Sequence, residues 1–494
     1  MEVTVLLFLT SGLFLGWALG ANDAANVFGT AVGTRMISFT TAAIICSVFL
    51  ALGAVVSGAG AAHTLGKLGA VNALPGSFMA ALSAALAVYM MTKAGLPVST
   101  TQAIVGAIIG WNLFSSTITD SDSLVKILST WVICPVLAAA ISMGLYKFSA
   151  WFLHRAKWHL LRTDAYTRLG LILAGAFGSY SLGANNIGNV MGVFISSSPF
   201  TDFSFAGLFT FSSTQQLFLV GALAIGVGVM TYSKRVMVTV GGGLVPLSPV
   251  AAWVVVVSHS IVLFLFASQG LEAFLASHGL PTIPLVPVSS SQAVVGAVLG
   301  IAIIKGGRGI RWRVLGGISF GWMVTPVIAA AVCFVGLFFL QNVFDQKVFH
   351  PISYTLSPPV VEKLESDGVA TGSLGELRGQ TFDSAVALKD ALGAISGLDS
   401  DRKGLIITAA KIEPVTIGDT GLEKMVAGAL STARAIAVVS LAGRQFRHRW
   451  ALAQELANES ETWREKAAGK ENKAYNKALI ADLDYVVRLF ATGR

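Results

Sequence analysis

Apolar residues fill the first two thirds of this chain in long stretches, and polar residues interrupt them at only a few places. Residues 38 to 58, 213 to 232 and 314 to 340 each approach or exceed the roughly 20 apolar residues with which a helix crosses a hydrocarbon core. The pattern predicts many transmembrane helices. Glycines are dispersed through the same stretches without a collagen-like period, which suits close helix packing and interrupted helices in lipid. The first apolar run follows Met1-Glu2-Val3 with no basic leader, so it reads as a first span rather than a cleaved signal.

The interruptions recur in order. Gly20-Ala-Asn22-Asp23-Ala-Ala-Asn26-Val27 is echoed by Gly183-Ala-Asn185-Asn186-Ile-Gly-Asn189-Val190. Pro97-Val-Ser99-Thr100-Thr101-Gln102 is echoed by Pro287-Val-Ser289-Ser290-Ser291-Gln292, and Trp131-x-x-x-Pro135 by Trp322-x-x-x-Pro326. Matched polar motifs in a hydrophobic chain mark a duplication. Each half is expected to hold a span interrupted at the Gly-Ala-Asn motif, an intact span, a hairpin folding back at the Pro-Val-Ser motif, and a last span carrying the Trp and Pro. Because the hairpin returns to its own side, each half makes three net crossings and the second must run in the opposite sense. The expected fold is an all-α polytopic membrane protein, an inverted-topology repeat with broken helices and two re-entrant hairpins. Residues 1–153 form the first repeat, 154–168 a cytoplasmic basic linker, and 169–340 the inverted second repeat.

Residues 341–494 lack an uninterrupted apolar span of membrane length and predict a separate soluble, mainly helical C-terminal domain. Residues 381 to 396 and 451 to 490 read as helices, and Gly404 to Thr408 as a short strand. The apolar stretch 425 to 443 contains Arg434, which favours an amphipathic helix over a hidden span.

Charge fixes a direction. Lys and Arg minus Asp and Glu is 15 − 7 over residues 1–340 and 19 − 19 over 341–494, so the whole net charge of +8 lies in the membrane part. Loops assigned to the cytoplasm carry Arg35, Arg155, Lys157, Arg162, Arg168, Lys234, Arg235, Lys305, Arg308, Arg311 and Arg313, whereas those assigned outside carry Lys67 and Lys126. The excess predicts a multi-pass protein of the inner or plasma membrane with its N-terminus outside. The C-terminal domain then emerges outside as well. Orientation accounts for these basic residues, so no nucleic-acid partner is implied; lipid is the partner the composition demands. Cys46, Cys134 and Cys333 fall within apolar spans without metal-ligand spacing and read as packing residues.

Asp23 is the one carboxylate placed deep in a span. An uncompensated charge there costs at least about 2.5 kcal/mol, so it calls for a cation or a partner. Asn22 and Asn26, with Asn185, Asn186 and Asn189 in the second motif, add amide oxygens. Hard oxygen donors of this kind suit Na+, at Asp23, Asn26, Asn186 and Asn189, whereas a protonatable acid alone suits H+. The competing structural role for Asp23 is a buried, protonated acid bonded to a neighbouring helix. In the other motif, proline sets a turn and a new half-helix begins. Ser99, Thr100 and Thr101 then lie where N–H groups are unpaired and the dipole is positive, an arrangement that binds anions. Ser289, Ser290 and Ser291 supply a second such end, and Gln102 and Gln292 can add amide donors. Ordinary helix capping and interhelical hydrogen bonding are the structural alternatives. Lys93 fits snorkelling along the hairpin, and His63, His259 and His278 read as packing or interfacial residues.

At these motifs the chain resembles the inorganic phosphate transporter (PiT) family of sodium- or proton-coupled phosphate permeases. The similarity covers residues 1–340 and rests on residues 20–33, 97–110 and 287–296, together with a connector at 234–249. It implies symport of inorganic phosphate with Na+ or H+, the anion at the hairpin tips and the cations beside the Gly-Ala-Asn motifs. The chain departs from the family pattern in having Asn186 where Asp is usual, Gly188 where Ala is usual, and Gln102 and Gln292 where His is usual. One lost carboxylate alters the expected cation stoichiometry. Hydrogen phosphate can donate a proton and sulfate cannot, so losing acceptors weakens selection for phosphate. A sulfate permease of the same family is therefore the alternative substrate reading. An anion channel is separated from a symporter by its inability to concentrate the ion. A membrane hydrolase would need a histidine at motif spacing to Asp23, a metal cluster or a nucleophile elbow, and the sequence offers none of them, so no enzyme and no cofactor beyond the coupling ion is expected.

Overall fold

The computed structural model describes residues 3–69, 71–93, 98–205, 209–240, 247–307, 310–395, 398–425, 429–467, 469 and 472–491. Pro97, residues 241–246 of the connector, Arg308, residue 396 and residues 426–428 lie outside them.

The first half comprises α1 (Val3–Gly33), α2 (Phe39–Ser57), α3 (Ala59–Leu68), α4 (Leu74–Lys93), α5 (Thr100–Phe114) and α6 (Ser121–Ala156). The second comprises α7 (Leu160–Met191), a hairpin of β1 (Phe203–Phe205) and β2 (Phe209–Phe211), α8 (Ser213–Thr231), α9 (Ser233–Val240), α10 (Pro249–Ala267), α11 (Gln269–Ser277), α12 (Ser290–Ile304) and α13 (Trp312–Asn342). Among the described residues seven helices, α1, α2, α4, α6, α8, α10 and α13, are long and apolar enough to cross a membrane. The segment read as a basic linker is helical at both ends, with only Lys157 to His159 between α6 and α7.

Packing matches the halves element for element. Helix α1 lies against α8 as α2 lies against α7, α4 against α1 as α10 against α7, and α5 against α13 as α12 against α6. Glycines permit the closest of these approaches. A Cβ on Gly106 of α5 would meet the carbonyl of Pro326 in α13 at 2.1 Å, and one on Gly296 of α12 would meet that of Pro135 in α6 at 2.2 Å. The Trp-Pro landmarks thus mark the surfaces on which the opposite half's short helix rests.

One expectation fails here. The helices do not break at the Gly-Ala-Asn motifs, since α1 and α7 run through them without interruption. Their glycines serve packing instead: a Cβ on Gly20 would stand 2.0 Å from the Ile225 carbonyl, and one on Gly183 the same distance from that of Leu50. An unbroken helix also keeps its backbone groups paired where water is scarce. The helices capped by Ser99 and Ser289, α5 and α12, are 15 residues each, below the roughly 20 needed to span a bilayer.

The remaining chain builds two small clusters with their own apolar centres. The first holds β3 (Tyr354–Thr355), α14 (Pro358–Ser366), β4 (Thr381–Phe382), α15 (Ala385–Gly393) and α16 (Ser400–Ala410). The second holds β5 (Val415–Thr416), α17 (Asp419–Lys424), α18 (Thr432–Ser440), β6 (Gln445–Phe446), α19 (Arg449–Glu459) and α20 (Lys473–Phe490). They repeat one another: Leu377-x-Gly379-x-x-Phe382 recurs as Leu441-x-Gly443-x-x-Phe446. Both glycines have left-handed φ, 77° and 80°, which favours residues without a Cβ. Their N–H groups donate to Leu356 and Ile417 carbonyls at 2.8 and 2.7 Å.

Gly404 to Thr408 lies inside α16 and is not a strand. Asp399 caps that helix by accepting from the Arg402 N–H at 2.8 Å, and Ile406 and Ala410 bury one helical face, which outweighs the β-branched pair at 406 and 407. The predicted 451–490 helix is split between α19 and α20 by a short turn anchored on buried Trp463. Among the described residues of 425–443 only α18 is helical, nine residues long, and its Arg434 is paired with Asp482 and lies over the Trp463 ring. The C-terminal clusters meet the loops of both halves. Asn72 exchanges two hydrogen bonds with the His350 backbone at 2.7 and 2.9 Å, Trp111 donates to the Val348 carbonyl at 3.1 Å, and Lys477 of α20 pairs with Glu272 of α11.

Candidate functional site

The four polar motifs converge. Asn22, Asp23, Asn26, Asn185, Asn186, Asn189, Ser99 to Gln102 and Ser289 to Gln292 are all buried, none more than 6 % exposed. The two Gly-Ala-Asn motifs face the starts of α5 and α12 across the interior, and one hydrogen-bonded network joins them.

Each half first grips its own tip. The Asn22 amide donates to the Val98 carbonyl at 3.3 Å, and the Asn185 amide donates to the Val288 carbonyl at 2.7 Å while its oxygen accepts the Val288 N–H at 3.0 Å. The next asparagine reaches across to the other half. Asn26 donates to the Ser290 hydroxyl at 2.9 Å, and Asn189 donates to that of Thr101 at 2.8 Å. A helical separation of about one turn between Asn22 and Asn26, and between Asn185 and Asn189, puts both on one face so that each motif can hold two tips.

Asp23 sits where the halves meet. Its carboxylate accepts from Asn22 at 2.9 Å and from Asn186 of the other half at 3.2 Å. Asn186 is oriented for this because its own oxygen already accepts from Asn185 at 2.8 Å and Asn189 at 3.1 Å. None of the residues named in the network is Lys or Arg.

At the tips, Ser99 and Ser289 are N-caps, each accepting the N–H three residues on, from Gln102 and Gln292, at 3.3 Å. The N–H groups preceding those in each first turn have no acceptor within their own helix. Several buried side-chain atoms here also lack a partner among the described residues: Thr100 Oγ1, Gln102 Oε1, Asn189 Oδ1 and Gln292 Oε1. Buried polar groups are nearly always satisfied, so a cluster of exceptions at facing helix starts points to polar ligands that complete it.

The three histidines separate. His63 and His278 are exposed, and Lys93 is exposed at the end of α4 beside the Tyr89 ring. His259 is different. It is fully buried in α10 with Nε2 2.9 Å from the Ser290 hydroxyl, so it belongs to the network and not to apolar packing. The sequence signal was a lone Ser258-His259-Ser260 in an otherwise apolar helix. All three cysteines are buried and unbridged.

The model of the phosphate transporter family matches residues 19–333, with a second match over 279–402. A candidate phosphate permease of Methanocaldococcus jannaschii is 28 % identical over 336 residues, covering 68 % of this chain and 97 % of that protein. Another from Pyrococcus horikoshii is 24 % identical, covering 66 % and 95 % respectively. A solved structure described as the sodium-dependent phosphate transporter aligns with a TM-score of 0.55 and 24 % identity, over 69 % of this chain and all of that one, which shows a shared fold. The family match, spanning both copies of both motifs, makes this chain a multi-pass membrane protein of the phosphate transporter family.

Proposed function

We propose that the chain is a symporter that carries inorganic phosphate into the cell with sodium as the coupling ion, its halves running in opposite senses through the membrane. The observation that carries this reading is the convergence of two capped helix starts, with their unpartnered buried acceptors and donors, on a single buried carboxylate. Helix N-termini supply the positive potential for a dianion without any basic side chain. A carboxylate and an oxyanion within one buried network repel, and a cation between them converts the repulsion into attraction. Oxygen-rich Asp23 and Asn189 suit sodium, and the likeness in fold to a sodium-dependent transporter agrees with that choice.

Phosphate is preferred to sulfate for a reason specific to this site. Gln102 and Gln292 stand where the family pattern usually has His, yet their amide oxygens are buried and have no partner among the described residues. They can accept the proton of hydrogen phosphate, which sulfate lacks. Uptake of labelled phosphate and sulfate into proteoliposomes, with and without an inward sodium gradient, tests the whole reading. Accumulation of phosphate above equilibrium only with the gradient is expected; flux that never concentrates phosphate under either a sodium or a proton gradient would make the protein a channel. Replacing Ser99 and Thr100 together by Ala is expected to raise the half-saturating phosphate concentration by about tenfold or more, the loss of one cap and one anion donor. Sodium binding without phosphate should change far less. Equal losses of both would mean that the tip has collapsed.

The segments that meet the C-terminal part near Asn72 and Trp111 adjoin loops that charge counting assigns to the exterior. Cysteines placed at exposed Ser121 and Glu376 are therefore expected to react with an impermeant thiol reagent on intact cells, and one at Asp164 to be protected. The buried native cysteines leave little background. Labelling at 164 but not at 121 would reverse the orientation.

A further inference from the structure

We propose that His259 is a positioning residue for the transported anion, acting by turning the Ser290 hydroxyl into a donor; this rests on the anion site proposed above. Ser290 opens α12, and its oxygen lies 2.9 Å from Asn26 Nδ2 and 2.9 Å from His259 Nε2. A hydroxyl has one donor and two acceptor positions, and Asn26 occupies one acceptor. Two tautomers of His259 remain. If Nε2 carries the proton, Ser290 accepts twice and its own hydrogen is free to point into the site, leaving only a bare acceptor at Nδ1. If Nδ1 carries it, Ser290 spends its hydrogen on Nε2, and a buried N–H is stranded, because Nδ1 has no partner among the described residues. Stranded buried N–H groups are the rarer and costlier defect. The first tautomer is the one the geometry supports.

The halves differ at this point. Ten residues after Pro249, where α10 begins, stands His259; ten residues after Pro75, in the first turn of α4, stands buried Ala85. Correspondingly, Asn189 bonds Thr101 and leaves Thr100 Oγ1 with no partner among the described residues, whereas Asn26 and His259 together hold Ser290. The second tip therefore presents an oriented hydroxyl donor, and the first an unheld one. His259 breaks the symmetry of the anion site just as Asn186 breaks that of the carboxylate pair.

The test uses the full-length protein in proteoliposomes with inorganic phosphate as probe. His259→Gln keeps an N–H donor and should retain nearly wild-type affinity. His259→Met has similar shape without the donor and should raise the half-saturating phosphate concentration by about tenfold, with sodium dependence little changed. In a Ser290→Ala background the same His259→Met change should add nothing further. Equal effects in both backgrounds, or a failure of Gln to rescue, would reduce His259 to a packing residue. If Ser290→Ala and the Ser99/Thr100 double variant both leave phosphate affinity intact, the anion site itself is wrong; if they weaken it and His259→Met does not, only this proposal fails. A measurement that needs no folded Met variant is 15N NMR of histidine-labelled protein, with the His259 signal assigned by its loss in His259→Gln. A proton on Nε2 is expected, and a proton on Nδ1 overturns the assignment.

Discussion

Replacing Asp23 with Asn is expected to abolish concentrative phosphate uptake while leaving the protein folded. The carboxylate is the only negative charge in the network, and a charge-assisted contact contributes roughly 1.5–3 kcal/mol, so the cation should bind about ten- to a hundredfold more weakly. The fold should tolerate the change. Asparagine keeps the shape and one acceptor, and Asn22 retains its bond to the Val98 carbonyl. Moving a dianion against an inside-negative potential of about 100 mV costs roughly 4.6 kcal/mol, and only coupled cations offset it. Uptake into vesicles with an inward sodium gradient, together with melting temperature in detergent, checks both halves of the expectation. Wild-type accumulation by the variant would remove Asp23 from the coupling site.

Restoring an acid by Asn186→Asp should act in the opposite direction. At present the Asn186 amide donates to Asp23 at 3.2 Å and does part of what a cation would do. A carboxylate in its place would confront Asp23 at similar spacing, and two such groups cannot both remain ionised without a proton or a cation between them. Half-maximal uptake is expected at a sodium concentration lower by about tenfold, for one added charged ligand. The folded state should in turn become more dependent on sodium. Sodium titrations of uptake and of melting temperature, run on both forms, decide it. Unchanged values in an active variant would place residue 186 outside cation coupling.

The site was legible because its residues are polar in a chain that is otherwise apolar, and because each motif occurs twice. Asn22, Asp23, Ser99 and Ser289 stand out against Ala, Val and Leu, and the duplication marks them as partners before any contact is known. Helix continuity through Gly20 and Gly183 was not legible. Small residues permit unwinding and close packing equally, and only the facing carbonyls of Ile225 and Leu50 show which applies. His259 was missed because a single buried histidine looks the same in sequence whether it packs or bonds; Ser290, 31 residues away, decides it. In the C-terminal part, Gly404 to Thr408 carries two adjacent isoleucines that suit a strand, but the cap at Asp399 lies upstream of the run and starts a helix. The duplicated Leu-x-Gly-x-x-Phe units there are short, and their spacing became meaningful once both glycines were seen in the same left-handed turn.

The contacts of Gly106 with Pro326 and of Gly296 with Pro135 bear on how such a molecule can move. Each short helix rests, backbone against backbone, on the last span of the opposite half. A rocking motion that parted residues 1–153 from 169–340 as blocks would tear both seams at once. A motion that keeps the seams whole carries α5 with α13, and α12 with α6, so each mobile body is a chimaera drawn from both copies. In such a motion the repeated segment and the travelling body would be different cuts through one chain, and a half expressed alone would leave its glycine face without the surface that closes it.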